Sequence, residues 1–339
     1  MMDNFASPQP VLEAIGLTKT FRVRPDRIGA KPRYVHAVSN VSLRLSPGAT
    51  LGIVGESGCG KSTAARLIMQ LLDRDEGAIL IDGEETANGR AALRAYRRDV
   101  QMVFQDSSAS LNPRLTIEAS IMFAPMVHGV SRDEARVRAH ELLGKVGLDP
   151  ARFAGRYPHE LSGGQRQRVN IARALALRPR VVVLDEAVSA LDKSVEAQVL
   201  NLLQDLRAEY GLSYIFISHD LAVIRHISDE VLVMYLGQVI ERGPVADIFD
   251  APFHPYTRAL LASMPSHDPA ARTLSPPITG DPPSPIDLPP GCRFAPRCPQ
   301  AADVCRARMP ELLLKDTHAA ACHLNDPRSG HPVFEEKAA

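Results

Sequence analysis

This sequence of 339 residues lacks long apolar runs, net charge and an export signal. No apolar run reaches the roughly 18 to 20 residues of a spanning helix, and the N-terminus has neither the basic nor the apolar region of a signal peptide. Lys+Arg and Asp+Glu number 39 each, so no net field attracts nucleic acid. We therefore expect a cytosolic globular protein without a nucleic-acid partner. Its hydrophobic fraction of 45% is sufficient for one α/β domain with an appendage.

Cysteine is scarce and unevenly distributed. Apart from Cys59, the cysteines crowd into the C-terminal fifth of the chain, at Cys292, Cys298, Cys305 and Cys322. In a cytosolic protein, such clustering indicates metal binding more than disulfides. The C-x2-C pairs usual in structural zinc sites are absent. The ligand type favours an iron-sulfur cluster and leaves a tetrahedral Zn2+ or no metal as alternatives.

Proline is concentrated just before these cysteines. Nine of the 27 prolines lie between Pro265 and Pro290. Such a segment is stiff and extended and does not form a core. We predict a Pro-rich linker at residues 266–290 and a small Cys-rich extension at residues 291–325.

Residues 55–63 fit the phosphate-loop (P-loop) pattern G-x-x-x-x-G-K-[ST]. A buried strand is predicted before it, at residues 49–54, and a helix after it, at residues 64–72, which is the context that this loop needs. Its glycines let main-chain N–H groups converge on phosphates at a helix N-terminus. An ordinary Gly-rich turn is the alternative. The predicted ATP ligands are Gly55, Ser57, Gly58, Gly60, Lys61, Ser62 and Thr63, and Ser62 is also a predicted Mg2+ ligand.

Further apolar runs predict buried parallel strands at residues 100–104, 181–184 and 214–218. The polar side chains that follow them directly are Gln105, Asp185, Glu186 and His219. Ligands of α/β proteins bind at this edge of the sheet. We therefore expect these side chains to converge on a bound ligand, where the Gln105 amide can reach Mg2+ or the attacking water. For each residue alone, the alternative is a solvated or structural side chain.

A second anion site is predicted at residues 161–165, where Ser162 caps a helix at residues 166–177 and the two following glycines leave N–H groups bare. Short alternating runs in residues 11–50 predict a small antiparallel β layer. Phe21 of this layer either stacks on adenine or belongs to the core. Residues from about 107 to 165 read as a helical insertion, with a helix that begins after Ser131 and stops at Gly147.

These motifs, in this order, resemble the ATPase subunits of ABC transporters over residues 10–265. The resemblance implies an α/β P-loop NTPase of the ABC nucleotide-binding type. Leu161 to Gln165 correspond to the signature sequence and Ser189 to Asp192 to the D-loop. The family forms head-to-tail dimers that share ATP, which implies ATP contacts for Ser162, Gly163, Gly164, Gln165 and Asp192. Ala187 departs from the family, since many relatives have proline there, and we expect this to change loop stiffness and not chemistry.

The resemblance also implies the roles of three residues in hydrolysis. Asp185 would hold Mg2+, Glu186 would act as the general base towards water, and His219 would contact the γ-phosphate.

Within the family, residues 103–106, 110–114 and 254–261 look like the dipeptide and oligopeptide importers, especially their second (F-type) ATPase subunit. This resemblance implies a related second ATPase, two multi-span permeases contacted near residues 105–125, and an external substrate-binding protein that acts indirectly. It also implies a peripheral location at the cytoplasmic face of the membrane and a 4Fe-4S cluster. The alternatives are another cargo such as a nickel chelate or oligosaccharide, an exporter, and a soluble ABC ATPase that remodels ribosomes or nucleic acid.

Overall fold

The computed structural model describes residues 9–23, 32–87, 89–264 and 280–335. Its strands are β1 (Leu12–Val23), β2 (Arg33–Leu45), β3 (Thr50–Val54), β4 (Glu76–Ile81), β5 (Glu84–Glu85), β6 (Val100–Val103), β7 (Val181–Asp185), β8 (Ser213–Ile217), β9 (Glu230–Tyr235), β10 (Gln238–Pro244), β11 (Leu313–Lys315) and β12 (His318–Ala320). Its helices are α1 (Lys61–Ile68), α2 (Arg90–Asp99), α3 (Ile117–Val127), α4 (Arg132–Lys145), α5 (Pro150–Phe153), α6 (Gly163–Leu175), α7 (Lys193–Tyr210), α8 (Leu221–Ile227), α9 (Val245–Asp250), α10 (Pro255–Ala262), α11 (Asp303–Ala307) and α12 (Pro332–Glu335). Over these stretches, none of the helices has the length and apolarity to cross a membrane.

The chain forms two compact units. The first comprises Met1–Glu13, Arg44–Thr50 and Ile79–Ser218, and the second comprises Ala14–Leu43, Leu51–Ala78 and His219–Ala339. Most of the predicted linker, residues 265–279, lies outside the described part of the chain.

In the first unit, β6, β7 and β8 run parallel, with Val103 opposite Leu184 and Asp185 opposite Ile217. Every residue of β7 and β8 is buried, as their continuous apolar runs predict. The parallel register brings the carboxyl ends of β6 and β7 to the same edge. The segments that carry Gln105 and Glu186 therefore leave the sheet side by side.

Helices α3, α4 and α6 of the first unit pack on one another. Ser131 caps α4 by accepting from the Glu134 N–H at 3.3 Å, and the chain turns at Gly147 with φ 74°, so both predicted ends are confirmed. The predicted insertion carries turns and no helix before Ile117. A two-residue strand that the sequence did not indicate, β5, pairs antiparallel with β4 across a turn at Asp82.

In the second unit, β3 pairs parallel with β9, and β9 pairs antiparallel with β10. Strands β1 and β2 are neighbours, as the predicted β layer requires. The C-terminal extension adds β12, which pairs with β10, and β11, which pairs with β12. The buried Glu241 carboxylate joins these segments, because it accepts from the His254 N–H at 3.1 Å and lies 2.7 Å from His318 Nε2. The extension is therefore built onto the sheet that contains β3.

The structure corrects two helix boundaries. Helix α1 begins at Lys61, three residues before the predicted start, because the P-loop glycine Gly60 is itself the cap; it ends at Ile68. Helix α6 begins at Gly163, three residues before the predicted start, because the Ser162 cap lies directly before it.

Candidate nucleotide site

The P-loop lies between β3 and α1 in the second unit, and two of its glycines are required by close contacts. Gly55 and Gly60 have φ values of 150° and 108°. A Cβ atom on Gly55 would lie 2.2 Å from the Met234 carbonyl oxygen, and one on Gly60 would lie 2.2 Å from the Ala37 carbonyl oxygen. Only glycine combines these backbone angles with these contacts.

Lys61 reaches back over the loop. Its side chain is buried, and Nζ donates to the carbonyl oxygens of Gly55 at 2.7 Å and Glu56 at 3.0 Å. Burial raises the pKa of the neighbouring Cys59 thiol, although the Lys61 charge acts in the opposite direction. The loop therefore holds one fixed positive charge beside a neutral thiol.

The first turn of α1 offers an anion-binding end. Its cap, Gly60, has no side chain to accept from the first N–H groups, and no acidic residue lies in the first turn. Ser57 and Gly58 are exposed, whereas Ser62 and Thr63 are half-buried at the start of the helix. The predicted phosphate ligands are thus together in one loop and helix end, the arrangement that binds phosphate in other proteins.

In the first unit, the structure brings together three residues that the sequence singled out. Asp185 is buried at the last position of β7. Glu186 follows, and the Gln105 amide Nε2 donates to its carboxylate Oε2 at 2.7 Å. An amide bound to a carboxylate at a sheet edge can orient that carboxylate towards a water molecule.

Glu186 has a left-handed backbone conformation, with φ 48°. Its N–H donates to the Ile217 carbonyl oxygen at 3.0 Å, and its carbonyl oxygen accepts from the Ser189 hydroxyl at 3.0 Å. This conformation is uncommon for a residue with a side chain and marks functional sites in many proteins. The sequence does not predict this left-handed conformation, because no glycine or asparagine lies beside the glutamate.

The predicted second anion site is the N-terminus of α6. Ser162 and Gln165 form a reciprocal capping box, with hydrogen bonds of 3.3 and 3.0 Å. A Cβ atom on Gly164 would lie 2.5 Å from Val195 Cγ1, so this glycine lets α6 pack closely on α7. Asp192, exposed at the cap position of α7, makes no side-chain capping bond.

Two other predicted residues belong to the second unit. His219 is exposed and precedes Asp220, which caps α8. The Phe21 side chain on β1 is 39% exposed, with Lys19 Nζ 5.8 Å from its ring centroid. The ring is therefore not part of the core, and stacking on adenine stays a prediction.

The four C-terminal cysteines surround one small cavity in the second unit. Its walls include Cys292, Cys298, Cys305 and Cys322, with His254 and Phe294. Burial raises the pKa of Cys292 to about 11 and that of Cys322 to about 12, and the neighbouring thiols add to both shifts. Within the described stretches, no group of three or more potential ligands is close enough for a single metal ion.

Comparisons with known proteins agree with this geometry. The family model of the ABC transporter matches residues 38–189. A probable peptide ABC transporter ATP-binding protein, y4tS of Sinorhizobium fredii, is 50% identical over 94% of this chain and 90% of its own length. The chain belongs to the ABC transporter ATP-binding proteins. The ABC protein AppF of Bacillus subtilis, an oligopeptide transport ATP-binding protein, is 47% identical over 94% of this chain and 98% of its own length.

Among solved structures, the dimeric ATP-binding cassette MJ0796 bound to ADP and Pi superposes on this ABC ATPase with a TM-score of 0.60. It is 31% identical and covers 69% of this chain and 98% of its own. A second model, the C-terminal region of oligopeptide/dipeptide transporters, matches residues 240–305. As an ABC ATPase, the protein binds and hydrolyses ATP with Mg2+.

Proposed function

We propose that this ABC ATPase energises the import of short peptides through a membrane transporter, at the cytoplasmic face of the membrane. The observation that carries the proposal is the combination in one chain of an intact nucleotide machinery and the oligopeptide/dipeptide transporter C-terminal region at residues 240–305. Relatives named for peptide, oligopeptide and dipeptide transport align over 89% or more of this chain. Nickel chelates and oligosaccharides are the alternative cargoes.

Hydrolysis of ATP requires a positioned water, a base for its proton and positive charge at the γ-phosphate. We assign Glu186 as the base, because its carboxylate projects from the edge of the sheet and is oriented by Gln105. Lys61 provides a point charge for the β- and γ-phosphates. His219 is assigned to the γ-phosphate, where its imidazole would steady the charge that develops in the transition state.

Magnesium neutralises charge on the β- and γ-phosphate oxygens when it is bound. The residue types predicted for it suit this ion, since Mg2+ prefers oxygen ligands. In the first unit, Asp185 would contribute a buried carboxylate, and in the second unit Ser62 would contribute a hydroxyl in the first turn of α1. Because Gln105 Nε2 donates to Glu186, its amide oxygen is the atom left for the metal.

We further propose that the protein works as a heterodimer with a related ATPase. In a head-to-tail dimer, Ser162, Gly163, Gly164, Gln165 and Asp192 act on the partner's nucleotide. The exposure of Ser162 at the end of α6 supports this role. Dimerisation of the related cassette MJ0796 in its ADP- and Pi-bound state supports it as well.

A permease helix is proposed to dock near residues 105–125. Large apolar side chains are exposed here and just beyond, as a docking site for an apolar partner requires. They are Phe104 at 38%, Phe123 at 63%, Met126 at 44% and Val127 at 51%. A partner with an apolar docking segment would cover them.

The four thiols around one cavity support a 4Fe-4S cluster. His254 Nδ1 accepts from the Tyr256 N–H, so Nε2 carries the proton and is a buried donor without an acceptor at the cavity. Such a donor suits a negatively charged cluster.

Anaerobic purification tests the cluster. We expect brown protein with absorbance near about 400 nm and with iron and sulfide in equal amounts. Cys305→Ser should lose the colour, whereas Cys59→Ser should keep it. Colourless protein that holds stoichiometric zinc would refute the cluster.

The transport function is tested with Glu186→Gln, trapped with Mg-ATP and purified from detergent-solubilised membranes. We expect ATP to bind while hydrolysis falls at least about 100-fold, and we expect two multi-span proteins and a second P-loop subunit to co-purify. Glu209→Gln, an exposed glutamate on α7, is the matched control and should hydrolyse ATP normally. Recovery of ribosomal proteins or nucleic acid alone would refute the importer in favour of a soluble remodelling ATPase.

A further inference from the structure

The P-loop carboxylate Glu56 is held by an arginine from the C-terminal extension. Both terminal nitrogens of Arg297 donate to the two Glu56 oxygens, at 2.9 and 3.1 Å. The Arg297 side chain is only 7% exposed, and that of Glu56 is 25% exposed. A two-point ion pair shielded from water fixes orientation as well as distance.

The backbone of Glu56 is held as well. Its N–H donates to the Tyr256 hydroxyl at 2.9 Å. Tyr256 is fully buried and packs against Tyr235 and Phe294, with ring centroids 4.7 and 5.4 Å away. Arg297 donates to the Tyr235 hydroxyl at 3.3 Å, so the ion pair and the aromatic cluster form one connected network.

This network restrains a loop whose glycines would otherwise leave its backbone flexible. Glycine-rich backbone loses more conformational entropy on ordering than other backbone, and the loop has glycines at positions 55, 58 and 60. Within the loop, the Lys61 ammonium and the Cys59 N–H both bind the Glu56 carbonyl oxygen, at 3.0 and 3.2 Å. The Glu56 N–H and carboxylate are bound by Tyr256 and Arg297, two residues far away in the chain.

We propose that Arg297 and Tyr256 are positioning residues of the nucleotide site, through which the Cys-rich extension keeps the P-loop in its phosphate-binding conformation. The inference rests on ATP binding by the P-loop but not on the peptide cargo or the metal. Since Cys298 directly follows Arg297, a disturbance of the cysteine segment must also change ATP affinity. By reciprocity, bound ATP must stabilise that segment.

The test is ATP binding by Arg297→Gln. We expect its Kd to rise about tenfold, because a loop that is in the binding conformation about one tenth of the time has an apparent Kd about ten times the intrinsic value. At saturating ATP, kcat should change less than about twofold, because bound phosphates restore the loop. Arg306→Gln removes an exposed arginine from the same extension and should bind ATP as the wild type does.

A double-mutant cycle with Glu56→Gln distinguishes loss of the ion pair that positions the P-loop from nonspecific destabilisation of the fold. Removal of Arg297 leaves a shielded carboxylate without its partner, so neutralising Glu56 as well should recover affinity to within about threefold of the wild type. Arg297→Lys should give an intermediate Kd. Equal Kd values for Arg297→Gln and Arg306→Gln, or independent effects of the two substitutions in the cycle, would overturn the proposal. Failure of the wild-type protein to bind ATP would instead overturn the function on which it rests.

Discussion

Replacement of Gly60 by alanine should disable the nucleotide site. The new Cβ would lie 2.2 Å from the Ala37 carbonyl oxygen, whereas ordinary contact begins at 3.4 Å, so the loop must move by about 1 Å. The φ of 108° adds strain of about 1 to 3 kcal/mol. A displacement of about 1 Å in a site is sufficient for a loss of about 100-fold. We therefore expect ATP affinity to fall by about 100-fold, equivalent to about 2.7 kcal/mol.

Gly58→Ala is the matched control in the same loop. Gly58 also has positive φ, 77°, but a Cβ there meets nothing within 4 Å. It should lose about 1 to 2 kcal/mol of stability from backbone strain and less than about threefold in ATP affinity. Equilibrium titration with a fluorescent ATP analogue and urea unfolding measure the two quantities. If both variants lose the same affinity, strain and not the contact with Ala37 explains the requirement for glycine, and the reasoning is wrong.

Three further outcomes can be checked by urea unfolding. Asp75→Asn should lower stability by no more than about 1 kcal/mol at pH 7, because the carboxylate is 35% exposed. Hydrogen bonds from Lys19 and Thr20 hold the Asp75 pKa below its usual range. The stabilisation from the carboxylate is therefore present above that range and is lost as the pH falls through the lowered pKa, so the gap between wild type and variant should close in acid. Gly164→Ala should lose about 1 kcal/mol, since its overlap with Val195 outweighs the gain in helix propensity, and Val195→Ala should reverse that loss. Tyr214→Phe should lose about 1 kcal/mol, because a buried carbonyl oxygen in α7 loses its 2.9 Å hydrogen bond.

The parts of the site that the sequence predicts are those with local patterns. The P-loop is one uninterrupted segment, and β7 and β8 are continuous apolar runs with polar residues at their ends. Parallel pairing then decides which ends meet, so the neighbourhood of Gln105 and Glu186 follows from strand order. The helix caps at Ser131 and Ser162 are equally local, since each bonds an N–H three residues along.

The parts that it does not predict depend on contacts between distant residues. The left-handed backbone of Glu186 is held by the Ile217 carbonyl oxygen, a partner on another strand. The pair of Glu56 and Arg297 joins residues 241 positions apart, and neither lies in a periodic element whose pattern could indicate a partner.

The extension illustrates the difference. Its cysteine spacing indicated a metal site, and the proline-rich segment before it indicated a separate appendage. Pairing of β12 with β10 instead attaches it to the sheet of the P-loop strand, within the second unit. In the same unit, Arg297 of the extension forms an ion pair with Glu56 of the nucleotide loop. The P-loop and the cysteine segment, which the sequence patterns treated as independent, are therefore physically connected through this ion pair.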